Sequence, residues 1–138
     1  MRNSAFMRDL GLLILRVSMG LMLAFGHGWG KLVSFGADMH QFPDPIGIGS
    51  PLSMALCVFA EFFCGLAVAA GLFTRAASVP VIINMGVAMF VVHRHDPWSK
   101  AELAALYFFP YLMLAMVGGG RFAMDSVLEK LRLKRVSS

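Results

Sequence analysis

Apolar residues fall into four runs, at about residues 10–29, 52–73, 76–93 and 101–117, and the stretches between them are short and polar. None of the runs alternates with the two-residue period of a half-buried strand. Each approaches the ~20 residues that a helix needs to cross a ~30 Å hydrocarbon core, the last two being short. The pattern predicts an all-α protein built as a four-helix transmembrane bundle. Pro80 and Pro110 lie inside the third and fourth runs, where neighbouring helices can satisfy the carbonyls that a proline frees.

Small and polar residues recur every four positions within these runs. Gly20, Ala24 and Gly28 do so in the first, Cys57, Glu61, Gly65 and Ala69 in the second, Pro80, Asn84 and Ala88 in the third, and Tyr107, Tyr111, Ala115 and Gly119 in the fourth. In lipid, such stripes mark where helix backbones approach one another, so they are expected to form an inward seam. The stretch 33–51 carries Pro43, Pro45 and Pro51 among glycines and reads as an irregular loop over the outer mouth of the bundle.

Composition agrees with a membrane location. The 138 residues are 58% hydrophobic and 14% charged, with a mean hydropathy of +0.71, whereas a soluble domain is about 45–50% apolar and about 25% charged. A membrane domain over residues 1–125 and a basic tail over 126–138 leave no room for a soluble module. The net charge of +4 does not indicate nucleic acid, because the basic residues sit at the ends of apolar runs. Arg2, Arg8, Arg75, Arg121, Lys130, Arg132, Lys134 and Arg135 share one side of an even-numbered topology. Lys31, Arg94 and Lys100 lie on the other, offset by Asp38, Asp44, Asp96 and Glu102. The positive-inside rule then places both termini in the cytoplasm. The first run is too long for a signal-peptide core and is read as a permanent span. Cys57 and Cys64 are separated by about 10 Å of helical rise, which predicts buried free thiols rather than a disulfide. Residues 125–135 read either as a short amphipathic helix on the cytoplasmic leaflet or as a solubilising tail.

The polar residues within the runs are the candidates for chemistry. At 1.5 Å of rise per residue, Arg16 lies about 9 Å inside the inner boundary, Asn84 about 12 Å, and Glu61 about 13 Å below the outer one. A charge near the bilayer centre costs at least about 2.5–3.5 kcal/mol. A pairing of Arg16 with Glu61, with Asn84 as a further partner, is therefore expected. The alternative is that Arg16 snorkels and Glu61 is protonated. A second layer lies higher: His27 and His93 are both about 25 Å from the inner boundary, with Lys31, His95, Trp98 and Glu102 near that level. Convergence of His27, Lys31, His93 and Glu102 around a polar ligand head or a proton relay is expected there. His93 and His95 come without a cysteine or acidic framework, so no metal site is expected.

The run His27-Gly28-Trp29-Gly30-Lys31-Leu32, Glu61 with Gly65, Gly71-Leu72-Phe73-Thr74-Arg75, Glu102 and the glycine-rich ending from Gly118 to Asp125 together resemble the DoxX family of small four-helix membrane proteins. Ala123, Met124 and Gly30 differ from the residues common at those places in the family. The resemblance implies a multi-pass protein of the bacterial inner membrane, associated with membrane redox complexes. The family takes its name from a membrane subunit of a thiosulfate:quinone oxidoreductase, so a quinone is the ligand implied. No built-in cofactor is expected, since the chain has no glycine-rich dinucleotide fold, no C-x-x-C-H and no cysteine cluster.

These readings lead to a redox-associated membrane subunit that binds a quinone-like or other small amphipathic ligand. Tyr107, Tyr111, Trp29 and phenylalanines would line the pocket, and His27 with Glu61 or Lys31 would bond the ligand's polar head. The competing expectations are a small-molecule carrier or proton-coupled binding protein gated by Arg16 and Glu61, and a structural anchor for a peripheral redox enzyme through Arg75 and the basic tail. Carriage by so few helices would call for an oligomer.

Overall fold

The computed structural model describes residues 2–136; Ser137 and Ser138, at the end of the expected tail, lie outside them. Four helices are long and apolar enough to cross a membrane, Asn3–Val33, Ser50–Ala70, Thr74–Val92 and Trp98–Val117. They are called the first to fourth helices below. A short helix, Phe35–Asp38, follows the first, and a terminal helix, Met124–Val136, closes the chain. No strand occurs among the described residues. The first helix outruns the apolar stretch at both ends. Hydropathy marks the hydrocarbon core, whereas backbone hydrogen bonding continues through good helix formers such as Arg8 and Lys31.

The small-residue stripe of the first helix meets that of the second. A Cβ added to Gly20 would stand 2.5 Å from the Gly65 carbonyl oxygen, and one on Gly28 would stand 2.6 Å from the Phe62 amide nitrogen. Only glycine permits this backbone contact, and dense van der Waals packing of this kind is what holds helices together in lipid. The fourth helix packs along the third, and the Tyr111 hydroxyl reaches the Met19 carbonyl of the first at 3.4 Å. Leu23, Val68, Val81, Tyr111 and Leu114 form the buried centre. Tyr111 is thus a core residue, not a pocket wall. Cys57 and Cys64 are free and buried, as expected.

Arg16 departs from its expected partner. Its buried guanidinium donates from Nε to the Gly119 carbonyl (3.2 Å), from Nη1 to Ala69 (2.5 Å) and from Nη2 to Phe122 (2.7 Å). These carbonyls belong to the end of the second helix and the turn after the fourth, groups that a helix terminus leaves without intrahelical partners. Arg16 and Glu61 therefore do not pair. Depth alone placed them within reach, but Arg16 bonds to backbone groups at the opposite end of the second helix from Glu61's partners.

The same knot holds the turn into the third helix. Asp125 accepts the Phe73 and Thr74 amides at 2.7 and 3.0 Å, serving as a cap from a distant part of the chain. Its own amide donates to the Gly71 carbonyl at 3.0 Å. Phe73 takes a left-handed conformation, φ 49°, uncommon for a residue with a side chain, and the Asp125 bond holds it there. A Cβ on Gly71 would lie 2.6 Å from that of Ala123. The segments 71–75 and 118–125, separate in sequence, are one interlocked structure around Arg16.

Candidate functional site

Toward the other end of the bundle, the first, second and third helices each contain a π turn, at Ala24–Gly28, Phe59–Cys64 and Ala88–Val92. A π turn fits one extra residue into the helical ladder and re-aims the side chains beyond it, and such turns often occur at functional sites. Glu61 lies within the second helix's π turn and is buried. Its carboxylate is the hub of a polar cluster. Lys31 Nζ forms an ion pair with Oε2, while Asn84 Nδ2 and Cys57 Sγ donate to Oε1 at 3.2 and 3.4 Å. Three helices thus contribute to one buried network, and each carboxylate oxygen has a donor, as a charge held below the membrane surface requires.

This cluster forms the polar floor of a cavity of about 530 Å³, within the size range of small-molecule sites. Leu56 and Phe59 of the second helix and Pro80, Ile83, Val87, Ala88 and Val92 of the third form its walls. Phe42, Pro43, Pro45, Ile46 and Ile48 of the loop form its roof. Asp44 fixes that loop. Its carboxylate accepts the Ile48 amide (3.0 Å), the Gly49 amide (2.8 Å) and the Ser53 hydroxyl (2.8 Å). The Gly49 amide, followed by the Ser53 hydroxyl, holds the Asp44 carboxyl below its ordinary acidity range, because donors favour the charged form. The loop does lie over the mouth, with Phe42 and Pro45 half-buried and Ile46 and Ile48 bordering the cavity while still exposed.

Of the candidate ligand or relay residues, Lys31, Glu61, Asn84 and His93 border this cavity, and Arg16, His27, Glu102, Tyr107 and Tyr111 do not. His93 bonds through Nδ1 to Asp96 at 2.8 Å, and that bond, ahead of the Lys100 charge, holds the Asp96 carboxyl below its usual range. His27 instead packs its ring edge-on against Tyr107, with centroids 5.6 Å apart. Glu102 is exposed on the fourth helix, and Trp29 packs on Phe62 at 5.8 Å. Of the expected layer of His27, Lys31, His93 and Glu102, Lys31 and His93 share the cavity, and His27 and Glu102 lie outside it. Equal depth fixes one coordinate, and the direction in which each helix face points fixes the others. Tyr107, Tyr111 and Trp29 likewise fall outside the lining. The fourth helix packs along the third, and the second and third helices supply the walls.

Sequence reasoning did not place Cys57, Asp44 and the roof residues in the site. The available signal was the unusually apolar loop sequence Phe42-Pro43-Asp44-Pro45-Ile46-Gly47-Ile48, and the spacing of four that puts Cys57 and Glu61 on one helix face. Among the described residues no three or more His, Cys, Asp or Glu side chains are grouped so as to hold a metal.

No curated protein and no solved structure matches the chain. A family model described as DoxX matches residues 11–94, more than half of the chain. The match takes in most of the first span and all of the second and third, and with them every residue of the Lys31–Glu61–Asn84–Cys57 floor and the whole roof. By that match, the chain belongs to the DoxX family.

Proposed function

We propose that this membrane protein binds a small, neutral, amphipathic molecule of quinone type in the cavity above Glu61, as the ligand-binding part of a redox system in the bacterial inner membrane. The observation that carries the reading is a largely apolar chamber with a polar cluster of Lys31, Glu61, Asn84 and Cys57 at its floor. Lys31 and Glu61 neutralise each other, so an anionic head would bring an uncompensated charge into the site. A carbonyl or hydroxyl head would not. Of the donors and acceptors on the floor, Lys31 has N–H groups beyond the one given to Glu61, and Asn84 has its own carbonyl oxygen. A carbonyl can accept from the first and a hydroxyl can donate to the second. Those are the groups that a quinone and its reduced form present.

The test is equilibrium binding of a decyl-substituted benzoquinone to the full-length protein in phosphatidylcholine nanodiscs, with mass spectrometry of whatever co-purifies in mild detergent. Saturable binding that Asn84→Leu weakens, without loss of folded protein, is the expected outcome. Binding that is non-saturable, or indifferent to that substitution, would end the proposal.

We also propose that both termini face the cytoplasm and the cavity roof the opposite side, supported by the distribution of basic residues. A cysteine introduced at Gln41, in the exposed loop, should react with an impermeant maleimide added outside intact cells, and one introduced at Glu129 should not. The reverse pattern would invert the topology.

A further inference from the structure

The outer halves of the second and third helices have different neighbours. The beginning of the second helix, Ser50–Val58, leans on Trp29–Val33 of the first, and the end of the third, Ala88–Val92, packs against the fourth. The second and third helices touch each other lower down, through Phe59–Cys64 and Gly65–Ala70 against Thr74–Val87. They consequently separate above Glu61, and the cavity lies in the gap between them.

The residues that border this gap are not fully covered by other parts of the protein. Leu56 and Phe59 are each 50% exposed and Ile83 is 61% exposed, although all three line the cavity. They lie within helices that are long and apolar enough to span the membrane, at levels where the medium around the protein is hydrocarbon. On the aqueous side the loop residues Phe42, Pro43, Pro45, Ile46 and Ile48 border the cavity, and Asp44 ties that loop to Gly49 and Ser53. The apolar walls thus continue into the lipid-facing surface, and the polar floor lies at the inner end of the passage.

We infer that the cavity is entered sideways from the bilayer, between the second and third helices, by a molecule already partitioned into lipid that advances its polar head toward Lys31 and Asn84. This deepens the proposed binding role and rests on it for the identity of the visitor, but the passage itself can be measured with no ligand present. A water-soluble metabolite, arriving past the loop, is the class that this route excludes.

The test places a nitroxide at Val87→Cys and, separately, at Leu56→Cys, on the two walls of the gap. Each is made in full-length protein carrying Cys64→Ala and Cys57→Ser, the latter keeping a donor to Glu61, in phosphatidylcholine nanodiscs, with Ile48→Cys on the roof as the reference for water. Collision with molecular oxygen, which concentrates in hydrocarbon, is compared with collision with a polar nickel chelate. At both wall positions the oxygen-to-chelate ratio is expected to exceed that at Ile48 on the order of tenfold, because polar solutes are excluded from hydrocarbon. A ratio equal to that at Ile48, or walls that neither reagent reaches, would overturn lateral entry. Adding decyl-benzoquinone should then lower oxygen access at both walls. Open walls with no such change would remove the quinone and leave the passage, whereas quinone binding with chelate-accessible walls would keep the ligand and remove the passage.

Discussion

Replacing Arg16 by methionine should cost this protein about 3 kcal/mol or more of stability. Three backbone carbonyls, of Ala69, Gly119 and Phe122, receive their side-chain donors from this one guanidinium, and each buried polar group left without a partner costs about 1–3 kcal/mol. Methionine fills much of the same volume and supplies no donor, so the loss reads the hydrogen bonds rather than a cavity. Arg16→Lys should recover only part of it, because a single ammonium cannot reproduce a planar fork aimed at three acceptors. Asp125 interacts electrostatically with Arg16 and holds the turn at Phe73 and Thr74, so losing the cation should also loosen the entry to the third helix. Thermal unfolding in mild detergent, followed by circular dichroism, measures this. A midpoint for Arg16→Met within a few degrees of the wild type would show that the knot is dispensable. Combined with Glu61→Gln, the effect should be additive, since residues without shared partners seldom couple.

The helices were legible from sequence because hydropathy measures the property that a bilayer selects. Fourfold spacing also identified the faces that pack, and Gly20 does meet Gly65 and Ala69. The partner of Arg16 was not legible from depth. The register of the antiparallel pair supplies the missing coordinate. With Gly20 opposite Gly65 and Ala69, and Gly28 opposite Phe62, each turn toward the start of the first helix is a turn toward the end of the second. Arg16 is therefore carried past Ala69 to the glycine-rich turn, and the far end of the first helix brings Lys31 to Glu61. A stripe of glycines announces such contact but does not say which residue faces which. The roof was hidden for another reason. Loop residues carry no period, so Phe42, Ile46 and Ile48 could be assigned to a loop but not to the inside of a cavity until Asp44 was seen to fold that loop through the Ile48 and Gly49 amides.

Breaking the Lys31–Glu61 pair should be costly from one side and mild from the other, and removing both charges should repair most of the damage. The two side chains are unequally buried, Lys31 being 29% exposed and Glu61 6%. Lys31→Met would leave a buried carboxylate with two neutral donors, Asn84 and Cys57, and no counter-charge. Stranding a buried charge in this way costs on the order of 3–5 kcal/mol. Glu61→Gln would strand the ammonium instead, but a flexible lysine already partly exposed can swing toward water, so the smaller loss is expected there. In Lys31→Met/Glu61→Gln no charge remains to be stranded, and stability should return to within about 1 kcal/mol of the wild type, the signature of a coupled pair. Binding should behave differently. If Lys31 supplies a donor to the ligand's head, the double variant should fold yet bind decyl-benzoquinone no better than Lys31→Met does. Melting midpoints and binding isotherms for the four proteins of the cycle, collected in the same nanodiscs, separate the two roles. Additive stabilities would mean that the ion pair contributes nothing as a pair, and full binding by the stable double variant would mean that the ligand's head is held elsewhere.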